Sequence, residues 1–283
     1  MSRTYAEVIG DPIAHSKSPL IHNFWLSKLG IDAEYRACHV RPGELAGYFA
    51  RRRGDARWRG CNVTIPHKQT VIRVLDRLDS RAQRIGAVNT VVRNADATLA
   101  GFNSDAAGFL EPLRPLSVRD NDGRRELALV LGAGGAARAV VCALWDEGYH
   151  IDILNRDVAK ARSLSDAFGT PDTSFGPLEQ PSAPLLYSSG GSPNLLVNTT
   201  SLGMDGMPPL DISLSRVSAN TIVYDLVYSP LRTPLLVEAQ ARGMKTIDGL
   251  AMLIGQAATA FARFFGVPPP REYDAELRAL LTA

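Results

Sequence analysis

The chain has 283 residues, 45% of them hydrophobic and 21% charged, and its 31 basic and 29 acidic side chains leave a net charge of +2. That length fills one large domain or two ordinary ones, and so balanced a charge excludes a strong field for holding nucleic acid or an anionic membrane. Three scattered cysteines (Cys38, Cys61, Cys142) exclude a disulfide framework, no apolar run is long enough to span a bilayer, and no signal-peptide core opens the chain, so the cytoplasm is the expected location.

Residues 4–9 (TYAEVI) read as a first strand, closed by Gly10-Asp11-Pro12. A helix is expected over 19–29, with Ser18 as N-cap, Pro19 in the first turn and Gly30 as its stop. A second strand is expected at 33–40 and a helix at 43–53, whose run Arg51-Arg52-Arg53, with Arg57 and Arg59, reads as a solvated face. The octet 61–68, CNVTIPHK, alternates as a third strand, with Asn62 and Thr64 on one face and Val63 and Ile65 on the other. Pro66 then suits the first turn of a helix running to about residue 78, and Lys68 falls inside that turn. Two neutral hydrogen-bonding groups and one ammonium thus converge at a strand end, a seat for a polyhydroxylated small molecule with a lysine for proton transfer. A short helix at 81–85 precedes Gly86, and strands at 88–93 and 98–101 flank the turn Asn94-Ala95-Asp96. Strands alternating with helices imply an α/β layer.

A helix follows over 104–113, then a polar connector at 115–126. Residues 127–131 are an apolar strand leading directly into Gly132-Ala133-Gly134-Gly135-Ala136-Ala137, which opens a helix. In that strand–turn–helix setting the pattern G-x-G-x-x-(G/A) is a dinucleotide site: Gly132 permits the tight turn, Gly134 lets backbone approach a pyrophosphate, and Ala137 keeps helix and strand close. The next strand, 151–154, ends in Asn155-Arg156. A guanidinium there pairs with a 2′-phosphate, which favours NADP over NAD. Asp157 would repel that phosphate, and Lys160 offsets part of the repulsion. Residues 169–193, rich in Pro, Ser and Gly, hold a short strand; further strands are expected at 195–198 and 221–227, and helices near 233–242, 249–265 and 272–281. No Cys/His spacing resembles a metal site, so no metal is expected.

Other polar residues have ordinary explanations when taken singly. Asn89 in GAVNTVV reads as a core amide, Asp105 in GFNSDAAG as a carboxylate at a helix start, and Gln256 in GLAMLIGQAATAF as a buried amide that ties down backbone or touches a ligand. Their order is more specific. The series SKSP, NVTIPHK, GAVNTVV, GFNSD, GAGGAAR, NR, NTTSLGM, DLVYSPLRTPLL and GLAMLIGQA, spread over about 8–261, resembles the shikimate dehydrogenase family.

That resemblance implies two α/β domains with a cleft between them. Residues 1–104 would be the substrate-binding, catalytic domain, 105–244 the Rossmann-type NADP-binding domain, and 245–283 C-terminal helices returning to the substrate domain. It implies that Ser16 and Ser18, with Tyr228, bind the shikimate carboxylate, and that Asn62, Thr64, Asn89 and Gln256 hold the ring hydroxyls. Lys68 and Asp105 would be the catalytic pair. Thr200 and Gly249 would join Gly132, Ala133, Gly134, Gly135, Ala136, Asn155 and Arg156 around the cofactor. The implied reaction is reversible reduction of 3-dehydroshikimate to shikimate by NADPH, on the route to chorismate and the aromatic amino acids, by a monomer or homodimer that binds neither nucleic acid nor membrane.

The chemistry agrees with the residues. Hydride transfer to a ketone leaves a developing alkoxide that needs a proton and a nearby cation, and Lys68 supplies both. Three departures from the family pattern point to alternatives: Asp157 after Asn-Arg, Ser104-Asp105-Ala106 where Thr-Asp-Gly is usual, and Phe102 just before it. The alternatives are an enzyme acting on quinate or with NAD, and a non-catalytic sensor of NADP or a cyclic acid.

Overall fold

The computed structural model describes residues 3–116, 125–168, 173–178 and 192–283. They fall into two compact units: the stretch through Gly108 together with Leu253–Ala283, and Phe109–Met252.

The first unit is built on six strands, β1 (Thr4–Gly10), β2 (Ala33–His39), β3 (Trp58–Val63), β4 (Arg77–Leu78), β5 (Thr90–Arg93) and β6 (Leu99–Phe102), in the order β2-β1-β3-β5-β6-β4. The sheet is parallel except for β5, which runs antiparallel to β3 and β6. Helices α1 (Ser18–Leu29), α2 (Leu45–Arg53), α3 (Ser80–Ile85) and α4 (Asp105–Leu110) follow or connect these strands.

The second unit has six parallel strands, β7 (Leu127–Leu131), β8 (His150–Asn155), β9 (Thr173–Pro177), β10 (Leu195–Asn198), β11 (Ile222–Asp225) and β12 (Thr246–Ile247), ordered β12-β11-β10-β7-β8-β9. Its helices are α5 (Gly135–Asp146), α6 (Val158–Phe168) and α7 (Pro234–Ala241). After β7 the chain builds outward through β8 and β9, then returns to place β10 on the other side of β7. That reversal is the switch point where doubly wound sheets bind ligands. β7 reads LALVL, buried at every position, as expected for a strand covered on both faces. The last elements are α8 (Gly249–Phe265) and α9 (Asp274–Thr282).

Alternation along β1 sets the core of the first unit. Ala6 and Val8 pack with Tyr35, Ala260 and Phe264, so α8 covers that face. Tyr5 and Ile9 pack with Leu45, Tyr48, Phe49 and Trp58, so α2 covers the other. In the second unit Leu129, Leu131, Leu196 and Val223 meet Leu235, Leu236 and Ala239 of α7. All three cysteines are free thiols.

Several expectations need correcting. No α-helix runs from Pro66 to residue 78: a turn carries Lys68, a short 3-10 helix spans Thr70–Val74, and Arg77–Leu78 is a strand. Thr70, Val71, Ile72 and Val74 are β-branched and stiff at χ1, which disfavours a longer α-helix. The alternation of the octet also stops early. The His67 N–H donates to the Thr64 carbonyl at 2.9 Å, closing a turn, and Ile65 is 67% exposed instead of packing beside Val63. The helix after Ser104 ends at Leu110, three residues before its expected end. Helix α6 has no counterpart among the expected elements. The connector at 115–126 lies largely outside the described residues.

Candidate active site

The antiparallel insertion of β5 assembles the polar site of the first unit. β5 pairs with β3 on one side and β6 on the other, so Asn89, just ahead of β5, lies between the ends of both. Its carbonyl accepts from the Val63 N–H (2.8 Å), and its own N–H donates to the Phe102 carbonyl (3.1 Å). The turn holding Lys68 is tied to the same place, because the Val88 N–H donates to the Lys68 carbonyl at 2.7 Å. On the other side Asn103 caps α4: its Oδ1 accepts from the Ala106 N–H, and its Nδ2 donates to the Ala87 carbonyl. Asp105 is thereby free of capping duty.

The two ionic side chains meet. Lys68 Nζ lies 2.6 Å from Asp105 Oδ2, with side-chain exposures of 15% and 6%. Asn89 Nδ2 donates to the other oxygen, Asp105 Oδ1, at 2.8 Å, so the carboxylate is held from both sides. Both charges are taken largely out of water, and removing one partner of such a pair costs about 3–5 kcal/mol. Asn62 Nδ2 donates to the Asn89 carbonyl and to Thr90 Oγ1, both at 3.2 Å. Gln256 enters from α8. Its Nε2 donates to the Leu253 carbonyl (2.8 Å), and its Oε1 accepts from Asn89 Nδ2 (3.5 Å). Gly108 permits this approach, since a Cβ there would lie 2.5 Å from the Gln256 backbone nitrogen.

The structure therefore gathers Asn62, Lys68, Asn89, Asp105 and Gln256 into one cluster. Ser16, Ser18 and Thr64 make no hydrogen bond to it. Ser18 is the first residue of α1 and not its cap: Lys17 holds the cap position without a side-chain cap, and Ser16 Oγ accepts from the Ser18 N–H at 3.3 Å. The hydroxyls of Ser18 and Thr64 have no hydrogen-bond partner among the described residues, which leaves both available to a ligand. Tyr228 belongs to the second unit, beyond β11, and burial pushes its phenol above its ordinary pKa.

The second unit fits a dinucleotide. Gly132 has φ +109°, and a Cβ there would lie 2.5 Å from Thr199 Oγ1. Ala133, Gly134, Gly135 and Ala136 complete the turn into α5. Gly134 stands at the helix start with no side-chain cap and with open space where a Cβ would project. The first N–H groups of α5 thus remain available to a pyrophosphate. Thr200 is fixed by Asn198, whose Oδ1 accepts from the Thr200 N–H (3.0 Å) and hydroxyl (2.7 Å). Gly249 opens α8, and its N–H donates to the Val227 carbonyl at 3.3 Å.

At the end of β8, Arg156 is exposed and has no carboxylate partner among the described residues, so its guanidinium is available to a phosphate. Asn155 Nδ2 donates to the Asp157 carbonyl at 2.8 Å. Asp157 itself caps α6, accepting at Oδ1 from the N–H groups of Ala159 (3.1 Å) and Lys160 (3.4 Å). Its Oδ2 lies 3.8 Å from Lys160 Nζ, the partner expected from sequence to offset its charge, and the carboxylate favours the helix it starts.

Sequence reasoning missed Tyr35 and Thr90 and took Ser104 only as a departure from the family pattern; all three are buried and bonded to the cluster. Nothing in the local spacing of Tyr35 and Thr90 marks them, because the strand order β2-β1-β3-β5 brings them in.

A family model for the shikimate dehydrogenase substrate binding domain matches residues 8–91, and one for the shikimate 5'-dehydrogenase C-terminal domain matches residues 249–276. The chain is 53% identical over 280 residues to the shikimate dehydrogenase (NADP(+)) of Sphingopyxis alaskensis, covering 99% of this chain and 97% of that one. It is 45% identical to the enzyme of the same name from Rhodospirillum rubrum, covering 97% and 95%. In structure it resembles shikimate 5-dehydrogenase from Thermus thermophilus, solved in complex with NADP(H) and shikimate, with a TM-score of 0.82, 36% identity, and coverage of 98% and 99%.

Proposed function

The chain belongs to the shikimate dehydrogenase family, and from that premise we propose that it is an NADP-dependent oxidoreductase interconverting 3-dehydroshikimate and shikimate, with Lys68 and Asp105 as its catalytic pair. The observation that carries the catalytic assignment is the buried 2.6 Å contact between Lys68 Nζ and Asp105 Oδ2, braced by Asn89.

Bound NADPH supplies the hydride. The protein's part is to hold the ring, to meet the charge that grows on the carbonyl oxygen, and to deliver one proton to it. Lys68 gives that proton during reduction and, as the free amine, takes it back during oxidation. Asp105 keeps the Lys68 side chain in one orientation and balances its charge whenever the ammonium form is present. Asn62, Asn89 and Gln256 offer hydrogen bonds to ring hydroxyls from the same cluster, Thr64 extends the set, and Ser16, Ser18 and Tyr228 take the carboxylate. In the second unit Gly132, Ala133, Gly134, Gly135 and Ala136 cradle the pyrophosphate, Asn155 and Arg156 take the 2′-phosphate end, and Thr200 and Gly249 complete the site. On this reading residues 1–104 with the C-terminal helices are the substrate domain, and 105–244 the cofactor domain. We place the enzyme in the cytoplasm, a reading supported by the free thiols, and propose a monomer or homodimer.

The test is direct. Purified protein should reduce NADP with shikimate faster than it reduces NAD, or NADP with quinate. Lys68→Ala should lower kcat by about 10²–10⁴-fold, the range for a positioned proton donor. Unimpaired turnover in that variant would remove Lys68 from the mechanism.

A further inference from the structure

The polar cluster has a direction. The Asp105 carboxylate only accepts, so Asn89 must turn its Nδ2 toward Asp105 Oδ1. Asn89 Oδ1 then faces three donors, the Ser104 N–H (2.8 Å), the Thr90 hydroxyl (3.1 Å) and the Ser104 hydroxyl (3.3 Å). Thr90 Oγ1 lies nearer Asn89 Oδ1 (3.1 Å) than Ser104 Oγ (3.4 Å), and with its one proton given to Asn89 it accepts from Asn62 Nδ2 at 3.2 Å. This leaves Asn62 Oδ1 on the far side, where the Tyr35 hydroxyl donates to it at 2.6 Å. Tyr35, Asn62, Thr90, Asn89 and Asp105 thus form a single file in which every proton points toward the carboxylate. Reversing the Asn62 amide would set its oxygen against the Asn89 carbonyl.

Tyr35 is held for this role. It stands on β2 opposite Ala6 of β1, whose methyl group leaves room for the phenol to cross that strand toward Asn62 on β3. The His22 ring stacks on it at 3.9 Å and 4°. Burial raises the phenol well above its ordinary pKa, so it remains a donor.

We propose that Tyr35 and Thr90 are positioning residues. They fix which end of the Asn62 carboxamide is offered to a substrate hydroxyl and, through Asn89, how Asp105 presents its carboxylate to Lys68. The substrate part of this inference rests on the function proposed above; the polarity of the file does not.

The experiment compares the parent with Tyr35→Phe, Thr90→Val, Thr90→Ser and the Tyr35→Phe/Thr90→Val pair, using two readouts. In ¹H–¹⁵N spectra of the ligand-free protein, Tyr35→Phe should displace the Asn89 side-chain amide signals, although the two residues share no hydrogen bond. In steady-state assays, KM for shikimate should rise about three- to tenfold in Tyr35→Phe and in Thr90→Val, the effect of one buried hydrogen bond. Thr90→Ser should stay within about twofold of the parent. The double variant should be no worse than the poorer single, because residues acting in one file are not additive. Unmoved Asn89 signals in both Tyr35→Phe and Thr90→Val, multiplying losses in the double variant, or a Thr90→Ser no better than Thr90→Val would overturn the proposal. If Tyr35→Phe fails to fold, the Thr90 pair decides alone. A parent without turnover on shikimate would overturn the functional reading, while the spectra would still decide the file.

Discussion

His22 is a neutral imidazole locked in an aromatic box, and its acid response can be worked out. The ring is 0% exposed, stacks on Tyr35, and lies within 5.8–6.1 Å of the Trp25, Phe261 and Phe264 rings. Neither ring nitrogen has a hydrogen-bond partner among the described residues. Burial without a compensating partner lowers its pKa from 6.5 to about 3. Between those values the unfolded chain binds the proton that the folded one refuses. The contribution is therefore intact above about pH 6.5 and is lost as pH falls toward about 3. At about 1.4 kcal/mol per unit, moving from about pH 7 to about pH 5 removes about 2 kcal/mol. His22→Phe keeps a ring against Tyr35 and abolishes the titration. Urea unfolding at the two pH values, followed by tryptophan fluorescence, measures the difference; Trp25 and Trp58 are buried in the same unit as His22. The variant should lose about 2 kcal/mol less than the parent on acidification, and carboxylates titrating in both proteins cancel. An equal loss in parent and variant would refute the reasoning.

At the cofactor end, Arg156→Ala should raise KM for NADP by about ten- to a hundredfold, as expected for losing a charge-assisted contact to phosphate, and leave KM for NAD unchanged; equal effects on both cofactors would remove Arg156 from the 2′-phosphate. Asp225 should show the opposite pH sign to His22. Burial raises its carboxyl pKa despite hydrogen bonds from Thr233, Val227 and Asn198. Its contribution is thus complete at low pH and declines as pH rises through the raised value, and Asp225→Asn should flatten that decline in thermal melts across the acid range.

Legibility followed sequence distance. The dinucleotide turn could be read in the chain because strand, glycines and helix are contiguous, and the structure keeps them so from β7 through α5. Lys68 could be read in the octet as a lysine for proton transfer, but its pairing with Asp105 came from resemblance, since nothing local says that residues 37 positions apart will touch. Lys68 was expected in a helix because Pro66 opens one so often; the β-branched residues after it prevailed. Tyr35 and Thr90 were invisible, because their roles depend on the order β2-β1-β3-β5, which no short window of sequence contains. Asp157 was seen, but not its place as a helix cap. Without α6 in view its carboxylate had no other task, and only the helix supplies the two N–H groups that occupy it.

The task of Asp157 has a bearing on redesign. Many dinucleotide enzymes that favour the unphosphorylated cofactor grip the ribose diol with an acid near this point. Here an acid stands one position along, yet swinging it toward the sugar would uncap α6, a change that typically costs about 1 kcal/mol. Reversing coenzyme choice by borrowing that side chain would therefore weaken the scaffold as it gained the new contact. A fresh carboxylate in place of Arg156 would leave the scaffold alone.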